Sequence, residues 1–376
     1  MPHPLDEYPI HQVPMSMRYV ASSDRNVYDR NIFQAMSRDG SVQLIAGYGV
    51  YPNLGVVDGY GCVRMDGKQY VTRASDASHD NKLDMRVGPF RVEVIEPLEK
   101  VRLICDNADN DGVAYDITWT AAAAPIDEPQ HITRTGARIQ LDACRFAGTG
   151  LWEGTVHAAG QDFAVTHDTW TGTRDRSWGI RPVGESEPQT RYNMEHELGM
   201  WWCWVPLRFE DHSMMVIIQE GPDGHRLLTE AVRMFPTSSG RHVEQLGWPE
   251  VDITYRSGSR YPSSAVMHLA ERGRQPFDVQ IELLGGMALN VGCGYGADPD
   301  WNHGKWMGRG YVANAVYDMA DPAVAGRVGW APVDFVARAT QLGGTHDGAV
   351  GYGIFEHMSI GRHDPTGMAD LMSVAP

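Results

Sequence analysis

The chain has 376 residues, with 48 acidic side chains against 32 basic ones and a formal net charge of −16. A length beyond what one hydrophobic core usually fills, with 42% hydrophobic and 21% charged residues, excludes disorder and points to two folded units. The acidic balance repels phosphate backbones and anionic lipid heads, so neither a nucleic acid nor a membrane surface is the expected partner.

In chain order, residues 1–19 carry Pro2, Pro4, Asp6, Glu7, Pro9 and Pro14 and no apolar core, so no signal peptide is expected there. Residues 29–36 read as a short helix. Gly47-Tyr48-Gly49 and Gly59-Tyr60-Gly61 flank an aromatic ring with glycines, as Gly-Tyr-Gly does again at 294–296 and 351–353. Such glycines suggest kinked strands and close backbone approach, which curve a sheet toward a barrel. Residues 101–105 and 113–120 alternate apolar and polar positions, as half-buried strands do, and 277–283 repeats the pattern. The run 214–218 is continuously apolar, consistent with a strand covered on both faces, and is far shorter than the ~20 residues of a membrane span. Residues 311–319 read as a second short helix. Turn signals fall at Asp39-Gly40, Asp58-Gly59, Asp66-Gly67, Pro222-Asp223-Gly224 and Ser257-Gly258.

Short strands with closely spaced turns and little helix predict an all-β chain of antiparallel barrels or curved β-sandwiches. The polar, proline-bearing stretch 182–190 is the best linker, dividing the chain into β domains at 1–182 and 183–376. Five scattered cysteines (Cys62, Cys105, Cys144, Cys203, Cys293) form no CxxC pair. They read as small core residues in a reducing cytoplasm. Dinucleotide, phosphate-loop, nucleophile-elbow and zinc-helix signatures are all missing. Fifteen histidines, among them His196, His303, His346, His357 and His363, show no certifiable ligand spacing, so no metal and no cofactor is expected. A cupin-like centre is the all-β alternative.

The densest polar motif is the stretch 170–182 beside the linker, where Arg174, Arg176, Arg181 and Asp175 sit among Trp170 and Trp178, with Arg174-Asp175-Arg176-Ser177-Trp178-Gly179 at its centre. Asp175 reads either as an ion-pair partner of arginine or as a buried acid at the mouth of a cavity. On a strand, Arg174 and Arg176 would point to the face opposite Asp175. Trp152, Trp170, Trp178, Trp201, Trp202 and Trp204 are expected to crowd around the domain junction, as barrel core or as cavity wall. A second polar cluster holds Asp298, Asp300, Trp301, His303 and Trp306, and Glu356-His357 ends an apolar stretch. His303, Glu356 or His357 could face Asp175 as base or water-orienting group, and Tyr51 and Asp58 could reach the same cavity, although Asp58 reads first as a turn residue.

Tyr51-Pro52-Asn53, Val57-Asp58-Gly59, Val87-Gly88-Pro89, Glu96-Pro97-Leu98, the Arg174–Gly179 block and Gly353-Ile354-Phe355-Glu356-His357 together resemble the tandem lipocalin-like (calycin-type, AttH-like) proteins grouped with carotenoid 1,2-hydratase, also called hydroxyneurosporene synthase. The resemblance runs from about residue 40 to 365. It implies two lipocalin-like β-barrels in tandem with a ligand site in or between them. It also implies cofactor-independent hydration of polyene alkenes, or guided cyclisation of apolar chains.

Hydrating an isolated alkene needs a positioned acid, a pocket that shields a carbocation and one admitted water. On this reading Asp175, His303, Glu356 and His357 are the catalytic candidates. Tyr51, Asp58, Arg174, Trp178, Trp202, Trp204, Trp301 and Trp306 are the substrate-binding ones. The expected function is a hydratase or dehydratase acting on a hydrophobic terpenoid, polyene or aromatic molecule. A non-catalytic carrier of such a molecule is the alternative, and an isomerase or cyclase a further one. Substrate, direction of reaction and homo-oligomeric state stay open.

Overall fold

Alternating side chains closed off by glycine turns produce two curled, half-barrel antiparallel sheets packed together, with 58% strand and 5% helix. The computed structural model describes residues 8, 20–79, 81–107, 112–188, 199–296, 298–329 and 331–376. The expected reading of 1–19, the linker residues Gln189 and Thr190, and His196 therefore lie wholly or almost wholly outside the described residues.

The first sheet runs in the order Tyr311–Asp318, Lys68–Ala77, Val56–Met65, Gln43–Tyr51, Val27–Ser37, Trp170–Ile180, Arg138–Ala158, Ala114–Ala121, Lys100–Cys105, Phe90–Glu96, Arg86–Val87. The second runs Glu244–Gln245, Arg226–Met234, Ser213–Glu220, Gly199–Arg208, Val350–Gly361, Val333–Leu342, Gln275–Ala288, Pro262–Glu271, Glu250–Tyr255. The first sheet thus borrows one edge strand, Tyr311–Asp318, from late in the chain, where it pairs with Lys68–Ala77. Among the described residues no helix is long and apolar enough to cross a membrane.

Strand periodicity sorts side chains between each sheet's own core and the seam between sheets. The apolar run 214–218 shows why it is continuous: Met214, Val216 and Ile218 fill the second sheet's core, while Met215 and Ile217 enter the seam. Each such fully buried side chain contributes roughly 1.5–3 kcal/mol. In the seam they meet Met36, Ala123, Ile126 and Ala147 of the first sheet.

Three local expectations are corrected. Residues 29–36 are not helical; they lie in the strand Val27–Ser37, which has ladder partners on both sides. Its alternation is hidden because polar Arg30 and Gln34 share the seam face with Tyr28 and Ile32. Residues 311–319 form the edge strand instead of a helix, with small Ala313 and Ala315 diluting its period. Asp58-Gly59 lies inside the strand Val56–Met65 and makes no turn. Its aspartate is buried and hydrogen-bonded, which satisfies the carboxylate without a bend.

Candidate active site between the two sheets

A cavity of about 140 Å³ lies in the seam. That is close to the ~150 Å³ of an engineered cavity that holds one benzene molecule. Register places its polar groups. In the first sheet Arg30 is opposite Ser177, which is opposite Arg145 on the next strand. Asp175 sits two residues along, between Ile32 and Ala147, and so is a diagonal neighbour of both arginines. In the second sheet Asp334 is opposite Glu356, which is opposite Trp204. Asp175, Arg30, Arg145, Arg181, Asp334 and Glu356 all line the cavity, with Tyr28, Tyr295, His131, Gln34 and Trp202 among them.

Parity separates the Arg-Asp-Arg block as expected of a strand. Arg174 turns into the first sheet's core, with its guanidinium carbon 5.1 Å from the Phe33 and Trp119 ring centroids. Arg176 pairs with Asp29 at 2.6 Å on that same face. Asp175 alone faces the cavity and accepts no hydrogen bond among the described residues. Burial pushes its carboxyl above the usual range, and Arg145, Arg30, Arg181 and Arg174 act against that rise.

The facing wall holds two carboxyl groups within hydrogen-bond reach of each other. Burial, and then the Glu356 carboxylate, hold Asp334 well above the carboxylate range, and burial raises Glu356 too. Two such groups cannot both ionise cheaply, so the pair keeps a proton. Both are anchored: Gln34 Nε2 donates to Asp334 Oδ2, and Thr173 Oγ1 donates to Gln34 Oε1. Trp202 Nε1 donates to Glu356 Oε1. The Trp202 ring in turn stacks on His131, with centroids 5.8 Å apart, and Arg145 lies 5.6 Å from it. Burial and Arg145 push His131 down to about 4, so it is neutral at pH 7.

The other candidates stand outside the cavity. His303 lies behind Arg30: its Nδ1 meets an Arg30 Nη, and its Nε2 contacts the Cys293 carbonyl at 2.7 Å. With Arg30 donating, the ring proton sits on Nε2, and burial keeps the ring neutral. His357 faces the second sheet's core, opposite in parity to Glu356. It contacts the Trp202 carbonyl at 2.7 Å and Tyr255 Oη at 3.2 Å, and burial pushes it down to about 4. Tyr51 Oη donates to Asp58 at 3.1 Å, and the Gly304 amide donates to the same carboxylate at 2.6 Å, docking the loop that carries His303.

Trp301 is buried beside Tyr60 and His303, and Trp306 is half exposed. Trp204 donates to Glu128 at 2.7 Å deeper in the seam, and Trp178 packs on Phe146. Trp152 and Trp170 belong to the first sheet's core and Trp201 to the second's. Of the six tryptophans expected at the junction, Trp202 lines the cavity. Sequence reading passed over Asp334, Arg30 and Arg145, and singled out the stretches holding Arg181 and Tyr295 without assigning either to the site. Of the three passed over, Asp334 alone had a local signal, a carboxylate within the apolar run 333–337.

Away from the cavity, Asp211, His212 and His346 bring one ligand atom each within 4.8 Å of the others. Asp211 contacts the Nδ1 atoms of His212 at 2.7 Å and His346 at 3.2 Å, a grouping able to hold a cation.

Comparison with solved structures finds alignments over most of this chain. CghA with Sch210972 aligns over 89% of this chain and 88% of its own, at 12% identity and a TM-score of 0.52. Kievitone hydratase from Nectria haematococca aligns over 93% of both chains, at 14% identity and a TM-score of 0.48. The likeness to CghA is one of fold. No curated protein matches the sequence. One family model spans residues 3–369, and by that match the chain belongs to DUF8625, a family of unknown function.

Proposed function

We propose that the seam cavity is the active site of a cofactor-independent lyase, of hydratase or dehydratase type, acting on a small molecule with a ring or short apolar segment. The observation that carries this reading is the proton-holding Asp334–Glu356 pair on one wall and Asp175 on the other. Addition of water across a double bond needs one proton delivered to carbon and one taken from the attacking water, and acids on two facing walls can divide these tasks. In the hydration direction the pair delivers a proton to one carbon through Glu356. Asp175 takes a proton from the water that bonds to the other carbon. The proton left on Asp175 returns to the pair through solvent, so the net change is addition of one water. Dehydration runs the same steps backwards.

His303 and His357 enter this scheme as positioning residues, because both ring nitrogens of each are engaged. Fold similarity to CghA, solved with Sch210972, is compatible with a small organic ligand in the seam. Unsaturated and hydroxylated ring compounds incubated in 18O-labelled water and analysed by mass spectrometry test the reading. In the hydration direction the expected product carries one 18O per turnover, and in the dehydration direction it is lighter than its substrate by one water. Asp175→Asn and Glu356→Gln, both folded, should lower turnover by ~10²–10⁴-fold, the usual scale of general acid–base catalysis. Saturable binding with no product of either kind would favour the carrier. Unlabelled product of unchanged mass would favour an isomerase or cyclase. A folded, fully active Asp175→Asn would remove Asp175 from the chemistry.

A further inference from the structure

Arg30 and Arg181 both line the cavity and also line an adjoining pocket of about 360 Å³, as does Tyr295. They stand at the neck between the two spaces. Neither guanidinium is ion-paired within 4.0 Å to a carboxylate among the described residues, unlike Arg145, which has Glu128 at 3.3 Å, or Arg233, which has Glu271 at 2.9 Å. Arg30 is 4% exposed, spends one Nη on His303 and leaves its Nε without a partner. The Arg181 side chain makes no hydrogen bond among the described residues. Both lie over the Tyr28 ring, at 5.5 and 5.6 Å, and Arg30 lies 5.1 Å from the Tyr295 ring. Aromatic faces offset part of the cost of burying two like charges, but a buried cation is fully compensated only by an anion with hydrogen-bond acceptors.

We infer that Arg30 and Arg181 form an anion subsite at the neck of the cavity, which takes the carboxylate, or the ionised enol or phenol oxygen, of the substrate. This rests on the reading of the cavity as a substrate site and narrows its chemistry. Planar forked donors suit an oxygen anion, and Arg145 adds a third positive charge to the wall. At the neck, beside Arg30 and Arg181, positive charge on the substrate would be destabilised, whereas negative charge flowing onto an oxygen there would be stabilised. The substrate class is therefore an acidic-oxygen compound whose double bond is conjugated to that oxygen function, rather than the neutral isolated alkene implied by the sequence resemblance.

Calorimetric titration of the full chain with benzoate, 4-nitrophenolate at pH 8.5, benzamide and benzylammonium tests this without turnover. At least one anion should bind about tenfold or more tighter than benzamide, as expected for charge-assisted hydrogen bonds, and the tighter anion identifies the oxygen type. Arg181→Met should abolish that preference by lowering anion affinity more than benzamide affinity, and Arg181→Lys should restore part of it. Benzamide or benzylammonium binding as tightly as both anions would overturn the subsite, and so would an Arg181→Met variant with full anion affinity. The wild-type comparison decides even if the variants do not fold. Anion selectivity through Arg181 with no turnover of any substrate would keep the subsite and remove the lyase reading. Turnover of neutral alkenes without anion selectivity would do the converse.

Discussion

Glu128 shows how a buried carboxyl in this seam links stability to pH. Burial pushes it up to about 7, outweighing Arg145 and the Trp204 hydrogen bond. Its folded value lies above the ordinary one near ~4.3, so the folded chain holds a proton that the unfolded chain has released. The resulting stability is fully present below that window and is lost as pH rises through about 7. Asp58, also pushed up to about 7 by burial, acts in the same direction. His131, His212 and His357, all pushed down to about 4 by burial, act oppositely on the acid side. Comparing a variant with the parent at the same pH cancels those other groups. Glu128→Gln should therefore gain stability relative to the parent between pH 5 and pH 8, by up to roughly 1.4 kcal/mol per pH unit within the window, read as a growing Tm difference. A Tm difference that stays constant from pH 5 to 8 would show that Glu128 is ionised throughout.

At the scale of the element, strand parity decides which residues reach the seam. Asp175 and Glu356 were legible because each breaks a local pattern, one inside an arginine-rich block and one at the end of an apolar run. Their alternation with Arg174, Arg176 and His357 then follows from the period of a strand. Arg30 was hidden in a segment read as a helix, and Arg145 lies on a strand whose place beside Asp175 is set by register. No local pattern encodes which strands become neighbours.

Three of the four Gly-Tyr-Gly repeats, at 47–49, 59–61 and 351–353, lie in strands as read, whereas 294–296 lies in a loop and its strand reading is corrected. Gly47 is opposite Tyr60 across the ladder, and a Cβ at Gly47 would run into the Tyr60 ring. A Cβ at Gly61 would come within 2.7 Å of the Tyr115 ring. At both positions a tyrosine ring occupies the space a side chain would fill. Gly47→Ala should cost ~1–3 kcal/mol in urea unfolding, the usual range for overpacking a tight core. A cost near zero would mean that Tyr60 can swing aside, although it stacks on His303 at 5.4 Å.

For the whole molecule, the cavity exists only when both sheets are present, since its carboxyl groups come from facing walls. The first sheet itself is finished by Tyr311–Asp318, whose eight residues pair with Lys68–Ala77. Residues 1–182 produced alone would expose that edge, and open edges pair with one another. Such a fragment should self-associate in analytical ultracentrifugation, and adding a peptide of residues 309–320 should shift it toward monomer. A fragment that stays monomeric without the peptide would show that the edge is closed in another way.

The same strand sets a schedule for biosynthesis. Lys68–Ala77 leaves the ribosome ~240 residues before its partner does, a delay of about 12–50 s at ~5–20 residues per second. Through that interval the nascent chain carries an open sheet edge, and by then most of the second sheet has also been made. The strand is the last to join the first sheet, and the second sheet is completed after it, when Val333–Leu342 and Val350–Gly361 join its two halves. It also draws in the loop holding Tyr295 and His303, whose two ends leave for different sheets. The neck of the cavity can form once this edge is zipped, but the wall with Asp334 and Glu356 is made later still, so the binding site is complete only when the chain is nearly finished.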